Sequence, residues 1–436
     1  MLSRAATHRR HGLKVPEQSF NGCRLQGWLV SPYTAKVRSM LAYKQIPFED
    51  ISPSAPRLYL HIAPNVGRII MPTVQLADGS WRQDSALICD EIEAEHPEPT
   101  TKPAGAAQQL AALLLELYAD EWLPMLALHY RWNLPANSHW AEREFGRCAF
   151  PWLPSGIAAR LVAPFASKMR SFLRVQGVSA ETRDGVERSA THLLDSLETH
   201  FCSGRHRFLL GGRPCRGDFA LYGPLYAHLC RDPGSRALFN AAPSVVGWLE
   251  RLHGHTTDPA FPDMACRARR EGSHEQGDSR ERSEEAVHVT GFAPADEVPE
   301  TLDPIFRALF QDAWPFLESL SDSIDGYLDR QAAGAVQGPL AVPRAFDYSS
   351  FTVGGMIGER RQLTYSAWRL HRPLDLYRSL ALAPSRSLEH ASAEAWLHRL
   401  GSLEAFRRVQ PRWRLERQHQ LPLKQETFKA TRVLGI

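Results

Sequence analysis

The sequence predicts an α/β domain at the N-terminus, an all-helical domain after it, and a further, mainly helical extension. Strand and helix patterns alternate over residues 22–102, whereas residues 106–260 carry only helical spacing of apolar residues. Helical patterns return over residues 291–436, beyond a charged stretch. A chain of 436 residues has room for about two or three domains, so we expect these three regions to be the domains.

The α/β region is expected to fold in the order strand, helix, strand, hairpin, helix. The first strand is CRLQGWLV, the first helix YTAKVRSMLAYKQI and the second strand PFEDI. The hairpin is MPTVQLADGSW, in which Asp78-Gly79 between two apolar runs favours a tight turn. The last helix is DSALICDEIEAEHP, which Asp84 or Ser85 can cap and Pro97 ends.

Beyond the α/β region, the sequence predicts mainly helices, separated by a charged linker. Residues 106–132 form one long pattern, which is expected to be kinked or interrupted at Pro124. GDFALYGPLYAHLCR is apolar on most faces, which indicates a buried helix. Charge dominates residues 261–290, which predicts an exposed linker. Within the extension, residues 351–368 are β-like or irregular, and the basic stretch 404–436 is interpreted as a solvated tail.

The composition argues against several classes of protein. Fifty-one basic and 48 acidic residues give a net charge of +3, which is too balanced for a nucleic-acid-binding protein. No apolar run reaches the ~18 residues of a membrane helix, so we expect neither nucleic acid nor membrane as a partner. Seven scattered cysteines without a CxxC pair indicate a reducing, cytoplasmic location and no metal site. Residues 1–21 are interpreted as a disordered basic tail, with a targeting segment as the alternative.

Three blocks of sequence, in the right order, resemble the glutathione S-transferase superfamily. SPYTAKVRSMLAYKQIPFE is similar to the first helix and second strand of that family, and MPTVQLADGSWRQDSALICDEIEAEHP to its hairpin and glutathione-binding helix. FLLGGRPCRGDFALYGPLYAHL is similar to the buried helix of its second domain. The resemblance covers residues 22–255. It implies a thioredoxin-like N-terminal domain, an all-helical second domain, glutathione as co-substrate and a homodimer.

In this family a residue at the end of the first strand holds the glutathione sulfur, and the resemblance implies that Ser31 has this role. The thiolate is the nucleophile, and a hydroxyl donor beside a helix N-terminus stabilises negative charge. A serine here can also be a plain helix cap, and Tyr33 and Thr34 are alternative hydroxyls. No cysteine lies between Cys23 and Cys89, which favours transferase chemistry over thiol exchange.

The resemblance also implies residues that bind the rest of glutathione. Met71-Pro72 is expected to be a cis peptide bond, so that the Met71 backbone can pair with the cysteinyl part. The Ser85 hydroxyl and the helix N-terminus suit the γ-glutamyl carboxylate, and Asp84 suits the γ-glutamyl ammonium.

The predicted function is transfer of glutathione to a hydrophobic, electrophilic small molecule, with Ser31 as the catalytic residue. A non-catalytic binding or scaffold protein of the same fold is the main alternative. It is favoured by the shorter Asp84 where the family usually has glutamate, and by Ile70 where a basic residue is frequent. A glutathione-dependent reductase or lyase is a third hypothesis, and it would need the Cys23 or Cys89 thiol to reach the pocket.

Overall fold

A computed structural model describes most of the chain. The described residues are 19–253, 290–333, 338–418, 421–422 and 427–433. The predicted basic tail and charged linker therefore lie almost wholly outside the described residues, and their predictions stay untested. The fold class is confirmed: a small α/β domain is followed by an all-helical domain and by an extension.

The N-terminal domain is built on a four-stranded sheet. Its order is β2-β1-β3-β4, in which β1 and β2 are parallel and the other pairs are antiparallel. The elements are β1 Cys23–Gln26, α1 Pro32–Tyr43, β2 Phe48–Ile51, a helical segment α2 at 55–66, β3 Thr73–Gln75, β4 Trp81–Gln83 and α3 Ser85–Glu95. This is the element order that the sequence patterns predict, with one added helical segment between β2 and β3.

Apolar side chains of the sheet and of its two main helices form the core of this domain. Leu25 of β1 and Val74 of β3 are paired across the sheet, and both are fully buried. Met40 of α1 and Ile88 of α3 are equally buried in the same cluster. The hairpin turns at Gly79, whose φ of 85° is a conformation that glycine adopts without strain.

The second domain is helical throughout its described part. Its helices are α4 Ala106–Leu117, α5 Pro124–Asn133, α6 Pro135–Ala149, α7 Ser155–Val175, α8 Arg183–Cys202, α9 Arg216–Pro224 and α10 Pro243–His253, with shorter helical turns at Tyr118–Trp122, Leu225–Cys230 and Arg236–Phe239. The predicted interruption at Pro124 is confirmed, because α5 begins there after a wider turn. The predicted buried helix is also confirmed, since Gly217 to Pro224 are all buried.

The extension mixes helices with two small sheets. Its elements are α11 Asp303–Ala308, α12 Trp314–Ala332, β5 Leu340–Val342, β6 Ala345–Val353, β7 Met356–Leu363, α13 Thr364–Leu382, α14 Ser387–Arg399, α15 Leu403–Arg408, β8 Trp413–Arg417 and β9 Phe428–Arg432, with short turns at Pro294–Asp296, Glu300–Leu302, Leu309–Ala313 and Pro384–Arg386. Strands β6 and β7 form a hairpin, and β5, β9 and β8 form a three-stranded sheet in that order.

The interpretation of residues 404–436 as a solvated tail is wrong for the part that the structure describes. Strands β8 and β9 lie there, and Trp413, Leu415 and Phe428 are buried between them and the rest of the extension. The side chains of a strand alternate between its two faces. The basic residues Arg414, Lys429 and Arg432 lie on the exposed face, so the number of charges in this stretch does not reveal the buried face.

The extension packs against both other domains. Asp296 accepts two hydrogen bonds from the first turn of α4, at 2.9 and 3.0 Å, and therefore caps that helix. Arg369 of α13 pairs with Asp120 at 3.1 Å, and Lys36 of α1 pairs with the same carboxylate at 2.6 Å. One buried ionic cluster thus joins all three parts of the chain.

Within the described ranges, no helix is both long and apolar enough to cross a membrane.

Candidate functional site

Ser31 precedes α1 and lies on the wall of a cavity of about 400 Å³. Its hydroxyl oxygen accepts a hydrogen bond from Thr34 N at 3.3 Å, so it caps the helix. A hydroxyl that accepts one hydrogen bond still has its own hydrogen to donate. The capping role and a role in holding a sulfur are therefore compatible at this position.

The two alternative hydroxyls are placed less favourably. The Tyr33 hydroxyl donates to the backbone oxygen of Asp120 at 3.0 Å. Burial, together with the nearby Glu121 and Asp120 carboxylates, raises the pKa of Tyr33 well above its ordinary value, so it stays protonated. Thr34 is fully buried and does not line this cavity. Of the three hydroxyls, Ser31 is the one available to a ligand.

Aromatic and apolar side chains dominate the cavity beside Ser31, which we call the apolar cavity. Its walls come from the N-terminal domain and, in the second domain, mainly from α5, α6, α7 and α9 and the helical turns beside them. They include Trp28, Met71, Trp132, Phe145, Phe165 and Met169. The Phe145 ring packs against those of Trp28 and Phe165, with centroids 5.6 and 5.4 Å away. Such a wall suits an apolar or aromatic small molecule.

Two buried ring nitrogens on this wall have no hydrogen-bond partner among the described residues. They are Nδ1 of His228 and Nε1 of Trp132, and both residues line the apolar cavity. Burial, reinforced by Arg131, holds the pKa of His228 well below its ordinary value, so the imidazole is neutral. Both nitrogens are inaccessible to solvent, and an unpaired buried donor or acceptor costs free energy.

A second cavity of about 280 Å³ adjoins the first, and we call it the polar cavity. The four residues predicted to bind glutathione, Met71, Pro72, Asp84 and Ser85, all line it. Tyr33, Ile70 and Met71 line both cavities. The Met71-Pro72 peptide bond is cis, as predicted, and it lies at the border between the two cavities.

The Asp84 carboxylate already has partners on both of its oxygens. Its Oδ1 atom accepts from the backbone N–H groups of Ala86 and Leu87, at 2.9 and 3.2 Å, and so caps α3. Its Oδ2 atom accepts from the Tyr365 hydroxyl at 2.7 Å and from the Arg417 guanidinium. The side chains of Asp84 and Arg417 are each 2% exposed. Two residues of the extension thus bind the acid that was expected to bind an ammonium group.

The charges around Asp84 keep it ionised. Burial disfavours its charged form, but the guanidinium groups of Arg417 and Arg369 and the Tyr365 hydroxyl outweigh burial and lower the pKa of Asp84. Arg417 is itself held over the rings of Tyr365 and Trp368, 5.1 and 5.4 Å from their centroids. The pair is therefore a buried ion pair with aromatic support on one side.

Sequence reasoning misses Tyr365 and Arg417, which lie 281 and 333 residues from Asp84. One signal for Arg417 exists. The segment WRLER alternates with period two, and this puts Arg417 in the same phase as Trp413 and Leu415. An arginine in the apolar phase of a strand needs a buried acidic partner.

The described cysteines lie away from both cavities. Cys23 and Cys89 are buried and line neither one. Burial raises the pKa of each of these two thiols to about 12. The condition for a reductase or lyase, a thiol that reaches the pocket, is therefore not met by either residue.

In the described ranges, no cluster of His, Cys, Asp and Glu side chains is suited to a metal ion.

Comparison with known proteins gives one family and several similar structures. Residues 25–100 match the family model of the glutathione S-transferase N-terminal domain. A glutathione S-transferase from Methylobacterium radiotolerans, solved with glutathione sulfonate, is 20% identical with a TM-score of 0.32, and the match covers 56% of this chain and 94% of that one. A glutathione S-transferase from Rhodospirillum rubrum is 18% identical with a TM-score of 0.34, over 56% of this chain and 91% of that one.

A glutathione S-transferase-like protein from Pseudomonas syringae is 19% identical with a TM-score of 0.36, over 54% of this chain and 68% of that one. None of the curated proteins matches the chain. The family model covers the domain that holds Ser31, Met71-Pro72 and the start of α3. The family shown is therefore that of the N-terminal domain: residues 25–100 are a glutathione S-transferase N-terminal domain.

Proposed function

We propose that the chain is a glutathione S-transferase-like enzyme that activates a thiol beside Ser31 and transfers it to an electrophilic small molecule. The Ser31 hydroxyl donates a hydrogen bond to the sulfur, which favours the thiolate over the thiol. The thiolate sulfur then forms a bond to an electrophilic carbon in the apolar cavity. The thiol proton passes to solvent, and the electron pair of the new bond displaces a leaving group or adds across a double bond.

The observation that carries this proposal is the junction of the two cavities at Tyr33, Ile70 and Met71. A thiol compound that spans this border has its polar end near Ser85 and its sulfur near Ser31. The Met71 backbone, next to the cis bond, would pair with the middle of the compound as one strand pairs with another. The aromatic wall on the other side supplies a place for a hydrophobic electrophile.

A non-catalytic binding protein is the second candidate, and one observation favours it. Both oxygens of Asp84 are engaged within the chain, two of the four contacts coming from Tyr365 and Arg417. A γ-glutamyl ammonium has no open position on this carboxylate. A protein of this kind would use the apolar cavity to bind a small molecule and would transfer no thiol.

Thiol binding and thiol transfer should be measured separately on the full chain. Calorimetry with glutathione up to millimolar concentration reports binding, and conjugation to a chlorodinitrobenzene reports transfer. We expect Ser85→Ala to weaken binding and Ser31→Ala to lower the rate more than the affinity. Ser80→Ala is the control, because this hydroxyl lies in the hairpin turn and bonds Asp78 at 2.6 Å.

The outcomes separate the two candidates. Transfer that depends on Ser31 and not on Ser80 supports the enzyme. Binding of an apolar probe without any transfer of glutathione supports the binding protein. The cytoplasmic location and the homodimer belong to the same proposal, and they rest on the cysteine pattern and on the family resemblance.

A further inference from the structure

We propose that Arg131 of α5 is a positioning residue for Ser31, so that the second domain fixes the hydroxyl on which thiol transfer depends. The inference rests on the proposed thiol transfer, and it adds a residue outside the matched segment 25–100. Arg131 is on the wall of the apolar cavity, but its guanidinium is bonded to the protein itself. It acts through the backbone of Val30, the residue before Ser31.

The first argument is the geometry of the Arg131 guanidinium. Its Nη1 atom donates to the Val30 backbone oxygen at 2.9 Å, across the boundary between the two domains. Its Nε and Nη2 atoms each donate to the Asp232 carboxylate at 2.8 Å, and Nη2 also donates to the Ala227 backbone oxygen. The Arg131 and Asp232 side chains are both buried. A bidentate pair of this kind fixes the plane of the guanidinium, so the remaining donor can hold Val30 in one place.

The second argument is that the residues after Ser31 are also held by the second domain. Gly223 of α9 lies so close to Pro32 that a Cβ atom on this glycine would be 2.6 Å from the Pro32 backbone oxygen. The Tyr33 hydroxyl donates to the backbone oxygen of Asp120 at 3.0 Å. The chain on both sides of Ser31 is therefore held from outside its own domain, and the guanidinium supplies the contact on the N-terminal side.

The third argument is that the described hydrogen bonds of Ser31 itself are local. Its hydroxyl oxygen accepts from Thr34 N at 3.3 Å, and its backbone N–H donates to the Trp28 backbone oxygen at 3.0 Å. A group that takes part in catalysis has to be held to within about 0.5 Å of its working position. This accuracy needs a backbone that is fixed from further away, and the bond to Val30 provides it.

The test measures conjugation of glutathione to a chlorodinitrobenzene by the full chain, as a function of pH. Arg131→Lys keeps a positive charge beside Asp232, but an ammonium cannot reproduce the planar fork of donors that also reaches Val30. Because a misplaced Ser31 hydroxyl stabilises less thiolate, the pKa of the bound thiol should rise by about one unit, read from the pH–rate profile. At neutral pH this lowers kcat by about tenfold, with little change in the KM for glutathione.

A double variant separates a role through Ser31 from a structural one. If Arg131 acts by placing the hydroxyl, Arg131→Lys should cost no further rate in a Ser31→Ala background, since coupled residues are not additive. Arg38→Lys is the matched control. Arg38 is also buried, donates to Asp50 at 2.6 and 3.0 Å, and lines neither cavity. This variant should leave the pKa of the bound thiol unchanged.

Thermal unfolding is recorded for every variant, so that a loss of fold is not mistaken for a loss of rate. If Arg131→Lys does not fold, the double variant Arg131→Met with Asp232→Asn takes its place, because it removes both buried charges together. It should show the same fall in kcat and the same rise in the pKa of the bound thiol.

Two outcomes overturn the inference in distinguishable ways. If the folded variant keeps the wild-type thiol pKa, or loses rate equally with and without the Ser31 hydroxyl, Arg131 has a structural role only, while thiol transfer stands. If the wild type transfers no glutathione at any pH, the proposed function fails and the positioning role fails with it.

Discussion

The apolar and polar cavities are neighbours, but they are built from different parts of the chain. Every described residue that lines the apolar cavity lies between Trp28 and His228, within the first two domains. The polar cavity takes Arg344, Tyr365 and Arg417 from the extension. The extension therefore changes the chemistry of one cavity and contributes no described residue to the wall of the other.

This difference teaches how far a family resemblance can be carried over to one chain. The apolar cavity follows from the way two domains meet, and its walls need no residue from outside them. In the polar cavity the expected acid is present, yet its oxygens are bound to residues that the resemblance does not cover. A motif match predicts which residue occupies a position, but it does not predict which distant residues that side chain contacts.

The largest effect should come from removing the acid that joins the polar cavity to the extension. Asp84→Ala deletes the cap of α3 and removes the carboxylate that pairs with the buried Arg417 guanidinium. We expect it to lower the free energy of unfolding by about 3–5 kcal/mol, measured by denaturant titration. The double variant Asp84→Ala with Arg417→Met should be less destabilised than the single one, since the buried guanidinium is removed together with its carboxylate partner.

Asp375→Ala is the control for this prediction. It breaks the ion pair between Asp375 of α13 and Arg414, which lies on β8 as Arg417 does. The Asp375 and Arg414 side chains are 31% and 56% exposed. Exposed pairs contribute about 0–1 kcal/mol, so this variant should unfold almost like the wild type. Equal losses in the two variants would contradict a buried pair at Asp84.

Substitutions of Ser31 distinguish a role in binding the thiolate from a role as a helix cap. Ser31→Gly removes the hydroxyl but costs only a few tenths of a kcal/mol as a helix cap, whereas Ser31→Ala costs about 1 kcal/mol. If the hydroxyl holds a thiolate, both variants should lose about ten- to a hundredfold in transfer rate, the scale of a hydrogen bond to a charged group. If the serine is only a cap, Ser31→Gly should keep its rate. Conjugation kinetics and thermal unfolding of the two variants decide between these roles.

The parts of the fold that local patterns encode are the ones that sequence reasoning finds. The cis bond at Met71-Pro72 is implied by the family resemblance. The Asp78-Gly79 hairpin and the helix break at Pro124 each depend on a few neighbouring residues, and the order of elements in the N-terminal domain follows from the alternation of strand and helix periodicity. These features need no knowledge of distant contacts, because turn chemistry and periodicity act within a few residues.

The parts that sequence reasoning misses depend on contacts between distant segments. Strand β8 was hidden within a basic stretch, because its exposed face carries the charges. Trp132 and Phe165 line a cavity, but apolar residues at helical spacing look the same whether they fill a core or surround a ligand. The pairing of Arg417 with Asp84 needs the fold of the whole extension. Site residues supplied by another domain are therefore the hardest to predict.

The apolar cavity can be narrowed without disturbing the polar one. Met169→Trp adds a large ring on its wall, and we expect binding of an apolar anilinonaphthalene dye to weaken by about tenfold, equal to ~1.4 kcal/mol. Thiol binding should change little, since Met169 does not line the polar cavity. Ile157→Trp, at a 50% exposed position of the same helix, is the control and should leave dye binding unchanged. Equal weakening by both variants would show that the dye binds elsewhere.

A pH dependence is expected in the contact between the extension and the turn after α4. The Ser366 hydroxyl donates to Glu121 at 2.5 Å, and Arg360 and Arg369 lie nearby. Burial raises the pKa of Glu121 to about 7, against the Ser366 hydroxyl and the Arg369 guanidinium, which lower it. In the unfolded chain this carboxyl titrates near its ordinary value of 4.5.

Between these two values the folded chain binds more protons than the unfolded chain. The contribution of Glu121 to stability is therefore largest in acid and falls as the pH rises from about 4.5 to 7. Glu121→Gln mimics the protonated form, so its stability relative to the wild type should increase over this range. Denaturant unfolding of both proteins at pH 5, 6, 7 and 8 measures the difference. A constant difference would mean that Glu121 does not titrate in this window, and that the contact made by the extension is insensitive to pH.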